Sequence, residues 1–266
     1  MRKLPDKFLA AMIAVRALPG SPMYSGNDTE IMDEALQDLE LYKKYKVDSI
    51  ILENDHDLPY MKPPLDPKGI ALMTKICKKV RKNFDGPIGV QMLEAANEDS
   101  LKIALEADLD FIRVEGYVFA HIGNSGLIEG CSGKLQRLRT KLDAKHIKIF
   151  ADVKKKHCAH AITADLDITD EIKQAEYSLV DGVIVTSKFT GIEPDTADLK
   201  KARGVTKLPV IIGSGMTDEN IETFLPLADG FIVGTVFREN GEFLGKTDEK
   251  RLREFMKKFI ASRKGL

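Results

Sequence analysis

The chain has 266 residues, of which 43% are hydrophobic and 30% charged, a balance typical of a globular protein rather than a disordered one. Its 40 basic and 41 acidic residues leave a formal net charge of −1, so no overall positive field attracts nucleic acid or an anionic membrane surface. No apolar run in the sequence approaches the roughly 18 residues of a membrane-spanning helix, and we expect no membrane insertion.

Short runs rich in apolar and β-branched residues predict eight strands, at 11–18, 47–54, 87–93, 109–115, 147–153, 180–187, 209–215 and 228–235. Most of these runs are continuously apolar, as parallel strands are when both faces are covered. Helical patterns lie at 29–44, 67–83, 97–107, 133–142, 168–179, 196–204, 218–225 and 248–264. This alternation, over a length close to the roughly 250 residues of a (β/α)8 barrel, predicts a single TIM-barrel domain of the ribulose-phosphate-binding kind at 1–266.

Four of the predicted strands begin with an apolar residue followed by an aspartate. The pairs are Val47-Asp48, Leu109-Asp110, Val180-Asp181 and Ala228-Asp229. They indicate that one kind of connection recurs at about quarter intervals around a closed barrel. The irregular spacing favours a weak repeat of βα units over a solenoid.

The last two predicted strands both end in glycine-rich turns, Gly213-Ser214-Gly215 and Gly234-Thr235. In a closed parallel barrel these neighbouring turns form the usual phosphate pocket, because free N–H groups and helix N-termini converge there. We therefore expect a phosphorylated ligand, with Thr217 as a further donor. The alternative is that the glycines only make tight turns and that Thr217 only caps a helix. Asp218 and Glu219 favour this alternative, since they would repel a dianion.

The fifth predicted strand ends in the charged run Asp152-Val153-Lys154-Lys155-Lys156-His157. Strand alternation predicts that Asp152, Lys154 and Lys156 point to one side, and Lys155 and His157 to the other. A carboxylate and a lysine at a barrel mouth can transfer protons, and a desolvated lysine can form a Schiff base. Such a run is equally typical of a solvated loop.

Carboxylates follow the second, third and fourth predicted strands, at Glu53, Asp55, Asp57, Glu94 and Glu115. They predict an acid/base pair or the oxygen ligands of a divalent metal, unless they simply pair with Arg16 or Arg113. The runs Asp55-His56-Asp57 and His157-Cys158-Ala159-His160 lack the ligand spacing of a zinc module. We therefore expect no resident metal and no cofactor.

Several segments together resemble one known family. They are Ala17-Leu18-Pro19-Gly20-Ser21-Pro22, Glu53-Asn54, Gly126-Leu127-Ile128-Glu129-Gly130 with Arg137 and Arg139, Asp152-Val153 with Lys156-His157, and Gly213-Ser214-Gly215. In this order they resemble the BtpA/SgcQ family over nearly the whole chain. The resemblance implies a phosphate-binding TIM barrel. One cyanobacterial branch of the family is associated with photosystem I biogenesis, and another with a presumed sugar-utilisation operon.

The resemblance also implies a set of pocket residues, Glu53, Glu129, Arg137, Arg139, Asp152, Lys156 and His157. The chain departs from the family pattern at Arg16, at Lys154, at Ala159-His160 and in the segment 186–191, which lacks an expected glycine near Ser187. These departures fall at the predicted barrel mouth, so substrate or activity is expected to differ from that of relatives.

We therefore expect an enzyme that acts on a phosphorylated sugar or related metabolite by isomerase, epimerase or aldolase proton transfer. Asp152 or Glu53 is the expected base, Lys156 the electrophile or charge stabiliser, and Gly215, Gly234 and Thr235 the phosphate cradle. The alternatives are a non-catalytic assembly factor and a metal-assisted hydrolase using Asp55, His56 and Asp57.

Three cysteines, Cys77, Cys131 and Cys158, are odd in number and far apart, which favours reduced thiols and a cytoplasmic protein. The N-terminus has Arg2 and Lys3 but no apolar core ahead of a cleavage site. Many barrels dimerise, so a homo-oligomer is compatible with the sequence.

Overall fold

Parallel strands form a closed barrel in the structure, a computed structural model that describes residues 2–186, 193 and 195–265. In chain order the strands are β1 (Phe8–Ala14), β2 (Ser49–Glu53), β3 (Ile88–Gln91), β4 (Phe111–Val114), β5 (His121–Gly123), β6 (Gly126–Ile128), β7 (Lys148–Val153), β8 (Gly182–Val185), β9 (Val210–Ile212) and β10 (Gly230–Val233). The barrel omits β5 and β6, which pair as an antiparallel hairpin, and it closes where β10 pairs with β1. The predicted TIM-barrel fold is confirmed.

Helices follow the barrel strands and cover them from outside. They are α1 (Asp28–Lys44), α2 (Pro67–Asn83), α3 (Asn97–Glu106), α4 (Ser132–Lys141), α5 (Ile168–Tyr177), α6 (Thr196–Val205), α7 (Ile221–Phe224) and α8 (Glu249–Lys264). On α8, Leu252, Phe255, Met256 and Phe259 are buried and form one apolar stripe.

Three features differ from the sequence prediction. The first strand begins at Phe8 rather than at 11, because Phe8 pairs with Gly230 across the closing seam. The helix predicted at 218–225 is only Ile221–Phe224, and the hairpin of β5 and β6 was not predicted. The predicted sixth strand extends to Ser187, and this residue and 188–191 lie outside the described residues.

Aromatic rings packed against glycines fill the interior of the barrel. A side chain at Gly89, Gly182 or Gly230 would collide with the ring of Phe111, Phe150 or Phe8 respectively. These rings form one buried cluster with Ala10, Ile51, Ile184, Ile211 and Ile232. The interior of the barrel below its carboxyl end is therefore a packed apolar core, and the cavity lies above it at the carboxyl end.

The four repeated aspartates lie at the amino-terminal end of the barrel, and each ties its strand to the preceding one. Each carboxylate accepts a hydrogen bond from a strand N–H at 2.9–3.0 Å. Asp48 accepts from Leu9, Asp110 from Ile88, Asp181 from Ile149 and Asp229 from Val210. Each aspartate also forms an ion pair with an arginine: Asp48 with Arg263, Asp110 with Arg81, Asp181 with Arg139 and Asp229 with Arg203. The repeat seen in the sequence is thus one bond used four times, once in each two-strand quarter of the barrel.

Asp110→Asn should lower the free energy of unfolding by about 2 kcal/mol, because a 3% exposed carboxylate loses charge-assisted bonds to Ile88 N and the N–H of Arg2. Urea unfolding measures the loss. Asp108→Asn is the matched control, since the Asp108 side chain is 74% exposed and pairs only at the surface. Equal effects of the two variants would contradict a structural role for the repeat.

Candidate active site

A cavity of about 570 Å³ opens at the carboxyl ends of the barrel strands. Its volume lies within the roughly 300–1,000 Å³ that is usual for small-molecule sites. Both glycine turns line it, so the structure brings Gly213, Ser214 and Gly215 to the same space as Gly234 and Thr235. This meeting follows from the topology, because β9 and β10 are neighbours in the barrel.

A buried ion-pair network forms the floor of the cavity. The Arg113 guanidinium donates through Nε and Nη2 to the two carboxylate oxygens of Asp152, at 2.9 and 3.0 Å, and through Nη1 to Glu53 Oε1 at 3.1 Å. All three residues are at most 4% exposed. The bidentate geometry satisfies both Asp152 oxygens, whereas Glu53 keeps one oxygen outside the pair.

Burial shifts the pKa values of the ionisable side chains at the floor of the cavity. It raises the pKa of Glu53 to about 7, against the attraction of the Arg113 cation. Burial also raises the pKa of Asp55 and lowers the pKa of Lys156, and the Arg113 charge lowers the pKa of Lys156 further. Glu53 therefore titrates near neutrality beside a lysine that loses its proton more easily than usual, as an acid/base pair requires.

A second ion-pair cluster connects the side of the cavity to the hairpin. Lys155 Nζ lies 3.1 Å from both Glu94 Oε1 and Glu115 Oε1. The other Glu94 oxygen accepts from the Ser125 N–H at 3.0 Å and from its hydroxyl at 2.5 Å. Burial works to raise the pKa of Glu94, but the Ser125 hydroxyl and the Lys155 ammonium outweigh it and lower that pKa. Glu94 thus fixes the hairpin over the cavity.

Most predicted site residues meet here. Glu53, Lys156 and His157 line the cavity together with the glycine turns, and Asp152 lies beneath them through its bond to Arg113. The predicted alternation after Asp152 is wrong, because β7 ends at Val153 and the backbone turns at Lys154, whose φ is 47°. Lys155 and Lys156 consequently both face the cavity.

Three residues implied by the family resemblance lie elsewhere, and their assignment to the pocket is corrected. Glu129 is exposed after β6. Arg137 lies on α4 and donates to Gly133 O in its own helix. Arg139 lies on the same helix and pairs with Asp181 at the amino-terminal end of the barrel, at 3.0 Å. None of the three side chains lines the cavity.

Two further expectations are altered by local hydrogen bonds. The Thr217 N–H donates to Asn220 Oδ1 at 2.8 Å, so this amide is already used within the turn. Asp55, His56 and Asp57 diverge, because Asp55 faces the cavity, His56 lies beside Arg16, and Asp57 accepts from the Leu18 N–H. The geometry therefore does not assemble these three side chains around one metal ion.

Arg251 and Gln91 are among the cavity residues that were not predicted from the sequence. Arg251, on α8, lines the cavity near Gly241 and donates from Nε to Val236 O at 2.9 Å. No carboxylate in the described ranges lies within 4 Å of its guanidinium. Gln91, at the end of β3, also lines the cavity with its side chain buried. Only the presence of a strand end would have pointed to Gln91, and no local signal points to Arg251.

Comparisons with known proteins agree with the fold. The model of the BtpA family matches residues 5–261. An uncharacterized mitochondrial protein of Caenorhabditis elegans is 39% identical over 92% of this chain and 90% of its own length. The photosystem I biogenesis protein BtpA of Synechocystis is 33% identical over 90% of this chain and 83% of its own length. Within the described residues, no helix is both long and apolar enough to span a membrane.

Solved structures with the same fold include two enzymes of Pyrococcus furiosus. Thiamine phosphate pyrophosphorylase matches with a TM-score of 0.59 at 15% identity, over 96% of each chain. N-(5'-phosphoribosyl)anthranilate isomerase matches with a TM-score of 0.56 at 12% identity, over 96% of this chain and 99% of its own. At these identities the likeness establishes the TIM-barrel fold.

Glu53→Gln should flatten the dependence of stability on pH. The pKa of Glu53 rises from an ordinary 4.5 to about 7 on folding. The contribution of Glu53 to the free energy of unfolding is therefore at its maximum below pH 4.5 and is lost as the pH rises through 7. The loss is on the order of 2 kcal/mol between pH 5 and 8. Urea unfolding at both pH values should show this loss in the wild type but not in the variant. Glu129→Gln, at an exposed position, should keep the wild-type slope, and an unchanged slope in Glu53→Gln would refute the shift.

Proposed function

This chain belongs to the BtpA family, and we propose that it is an enzyme that acts by proton transfer on a phosphorylated sugar or related small metabolite. One observation carries the proposal: a carboxyl group with a pKa near 7 and a lysine with a lowered pKa share a cavity with two glycine turns and an arginine. The first pair suits acid/base chemistry, and the second set suits an anion.

The anion end of the cavity is proposed at β9 and β10. No hydrogen bond within the described part of the chain uses the N–H groups of Gly215 and Thr235. A Cβ at Gly234 would press on Met12, and Gly215 has a positive φ of 82°. Backbone can therefore approach a ligand closely at both turns. Arg251 adds a positive charge from α8, which completes a site for a phosphate dianion.

Glu53 is the proposed base, in preference to Asp152. Both oxygens of Asp152 are held by Arg113 and its side chain is absent from the cavity lining, whereas Glu53 reaches the cavity. A pKa near 7 leaves Glu53 partly ionised at neutral pH, so it can take a proton and return it. Asp152 then acts by fixing Arg113 rather than by moving protons.

Lys156 is the proposed electrophile. It forms no ion pair within 4 Å in the described residues, although Asp55, Glu53 and Asp152 attract it at longer range. As an ammonium at the cavity wall it can stabilise a developing oxyanion, which is the electrophilic role, whereas as a neutral amine it would act as a nucleophile toward a carbonyl carbon. The burial of Lys156 and the charge of Arg113 lower its pKa, which favours the neutral amine and eases proton donation by the ammonium.

A second candidate is an assembly role, because the Synechocystis relative is a photosystem I biogenesis protein. The hairpin offers an apolar outer face for it, because Ile122 and Leu127 are cross-strand partners and are 41% and 46% exposed. Lys62 Nζ bonds to Leu127 O, which brings Met61, 55% exposed, to the same face. Such a role would tolerate substitutions at Glu53 and Lys156.

We also propose a cytoplasmic location, in keeping with the three cysteines, none of which forms a disulfide. Cell fractionation followed by detection of the chain tests the location. Recovery with mitochondria would instead match the name of the C. elegans relative.

Arg251→Met should weaken phosphate binding by roughly tenfold or more, because a charge-assisted hydrogen bond is lost. Titration calorimetry with inorganic phosphate and with ribose 5-phosphate measures the affinity. Arg253→Met is the matched control, since Arg253 lies on the same helix but is 57% exposed and pairs weakly with Glu254. If neither ligand binds the wild type, the proposed phosphate site is wrong.

The reaction class is tested by proton exchange in deuterium oxide. Incubated with a panel of ketose and aldose phosphates, the wild type should exchange a C–H proton next to the carbonyl of at least one, as seen by proton NMR. Glu53→Gln and Lys156→Met should each slow exchange by roughly 100-fold, and Glu129→Gln should leave it unchanged. Exchange that survives in both site variants would contradict the assigned roles, and phosphate binding without any exchange would favour the assembly role.

A further inference from the structure

Gln91 is a polar side chain in the floor of the cavity that the proton-transfer chemistry does not use. It is 1% exposed, and neither its amide nitrogen nor its amide oxygen has a hydrogen-bond partner in the described part of the chain. An unsatisfied buried polar group costs about 1–3 kcal/mol. This side chain has two such atoms, and both belong to a residue that lines the cavity.

Polar residues lie on both strands beside Gln91, yet its amide forms no hydrogen bond to them. Glu53 is its register partner on β2, and Arg113 lies on β4, the other strand beside β3. Arg113 nevertheless donates its hydrogen bonds to Asp152 and Glu53 and donates none to the Gln91 amide. A donor and an acceptor side by side are therefore held ready at the cavity floor, between the charged groups of the proposed chemistry.

The residues that line the cavity indicate which kind of ligand group can contact the Gln91 amide. Apolar and aromatic side chains line much of the space between the floor and the mouth, including Leu58, Tyr60, Leu93, Met216 and Phe243. A phosphate and a short polyol would leave these walls uncovered. A flat group with apolar faces would cover them and would also present a polar edge to Gln91.

We propose that the substrate is a phosphorylated sugar that bears a planar nitrogen heterocycle, recognised by a two-point hydrogen bond between its amide-like edge and the Gln91 side chain. Glutamine and asparagine amides pair in this way with heterocycle edges that place a donor next to an acceptor. The inference rests on the proposed function, because it places the phosphate at the glycine turns and the ring toward the floor. It makes Gln91 the residue that selects a nucleotide-like ligand over a plain sugar phosphate.

The test compares ribose 5-phosphate with AMP, GMP, CMP and UMP by titration calorimetry on the intact chain. At least one nucleotide should bind roughly tenfold more tightly than ribose 5-phosphate. Gln91→Leu should abolish this preference while changing the affinity for ribose 5-phosphate by less than about threefold. If ribose 5-phosphate binds and no nucleotide binds more tightly, the inference fails and the proposed function stands. If none of the five binds, the proposed function fails with it.

Thermal unfolding separates recognition from structure. Gln91→Leu removes two unsatisfied polar atoms from a buried site, so its melting temperature should equal or exceed that of the wild type. Gln136→Leu is the matched control: its amide donates to Tyr117 Oη at 2.9 Å and to Leu179 O at 2.7 Å, so this variant should melt lower and keep nucleotide preference. A lower melting temperature for Gln91→Leu would assign Gln91 a structural role and overturn the inference.

Discussion

The mouth of the barrel depends on one buried charge, the guanidinium of Arg113. It lies 4% exposed on β4 and joins Asp152 of β7 to Glu53 of β2, across the barrel interior. Removing one partner of such a buried pair leaves an uncompensated charge, at a cost of about 3–5 kcal/mol. The arginine therefore sets which carboxylate is held at both oxygens. Asp152 is held at both oxygens, while Glu53 keeps one oxygen for the cavity and a pKa near 7.

Elements with strong local signals were predicted closely. For α2 the predicted and observed ends are the same, because Asp66 caps the helix by accepting from the Lys68 N–H, Pro67 occupies its first position, and Phe84 is extended beyond its last. The start of β1 and the hairpin of β5 and β6 depend on long-range pairing. Phe8 pairs with Gly230 more than 200 positions away, and three-residue strands carry too little periodicity to be recognised.

The residues of the candidate site likewise divide into those that the sequence predicts and those that depend on long-range packing. Glu53 and Lys156 could be found from the sequence because they follow apolar strands, and position in a barrel then places them at the mouth. Arg251 could not be found, because it lies in the first turn of a helix and no local sequence pattern shows that its side chain bonds to Val236 O and lines the cavity. Arg139 was assigned by resemblance alone, and the helix that carries it directs it to the opposite end. Charged residues at or just after strand ends were thus predictable, although the uncharged Gln91 at the end of β3 was missed, whereas positions on helices depended on how each helix packs.

The two ends of the barrel use polar side chains in opposite ways, and this contrast separates stability from function. At the amino-terminal end, Asp48, Asp110, Asp181 and Asp229 each accept a strand N–H and pair with an arginine. At the carboxyl end, Gln91 and the Ser214 hydroxyl are buried without a partner in the described residues, although charged groups lie close by. Folding alone gains nothing from leaving such groups unsatisfied. Arg139 Nε is likewise unpartnered at the amino-terminal end, but Nη2 of the same guanidinium holds Asp181 and Lys145 O, whereas neither amide atom of Gln91 has a partner in the described residues. We propose that a ligand in the cavity bonds to the unpartnered groups at the carboxyl end and offsets their cost.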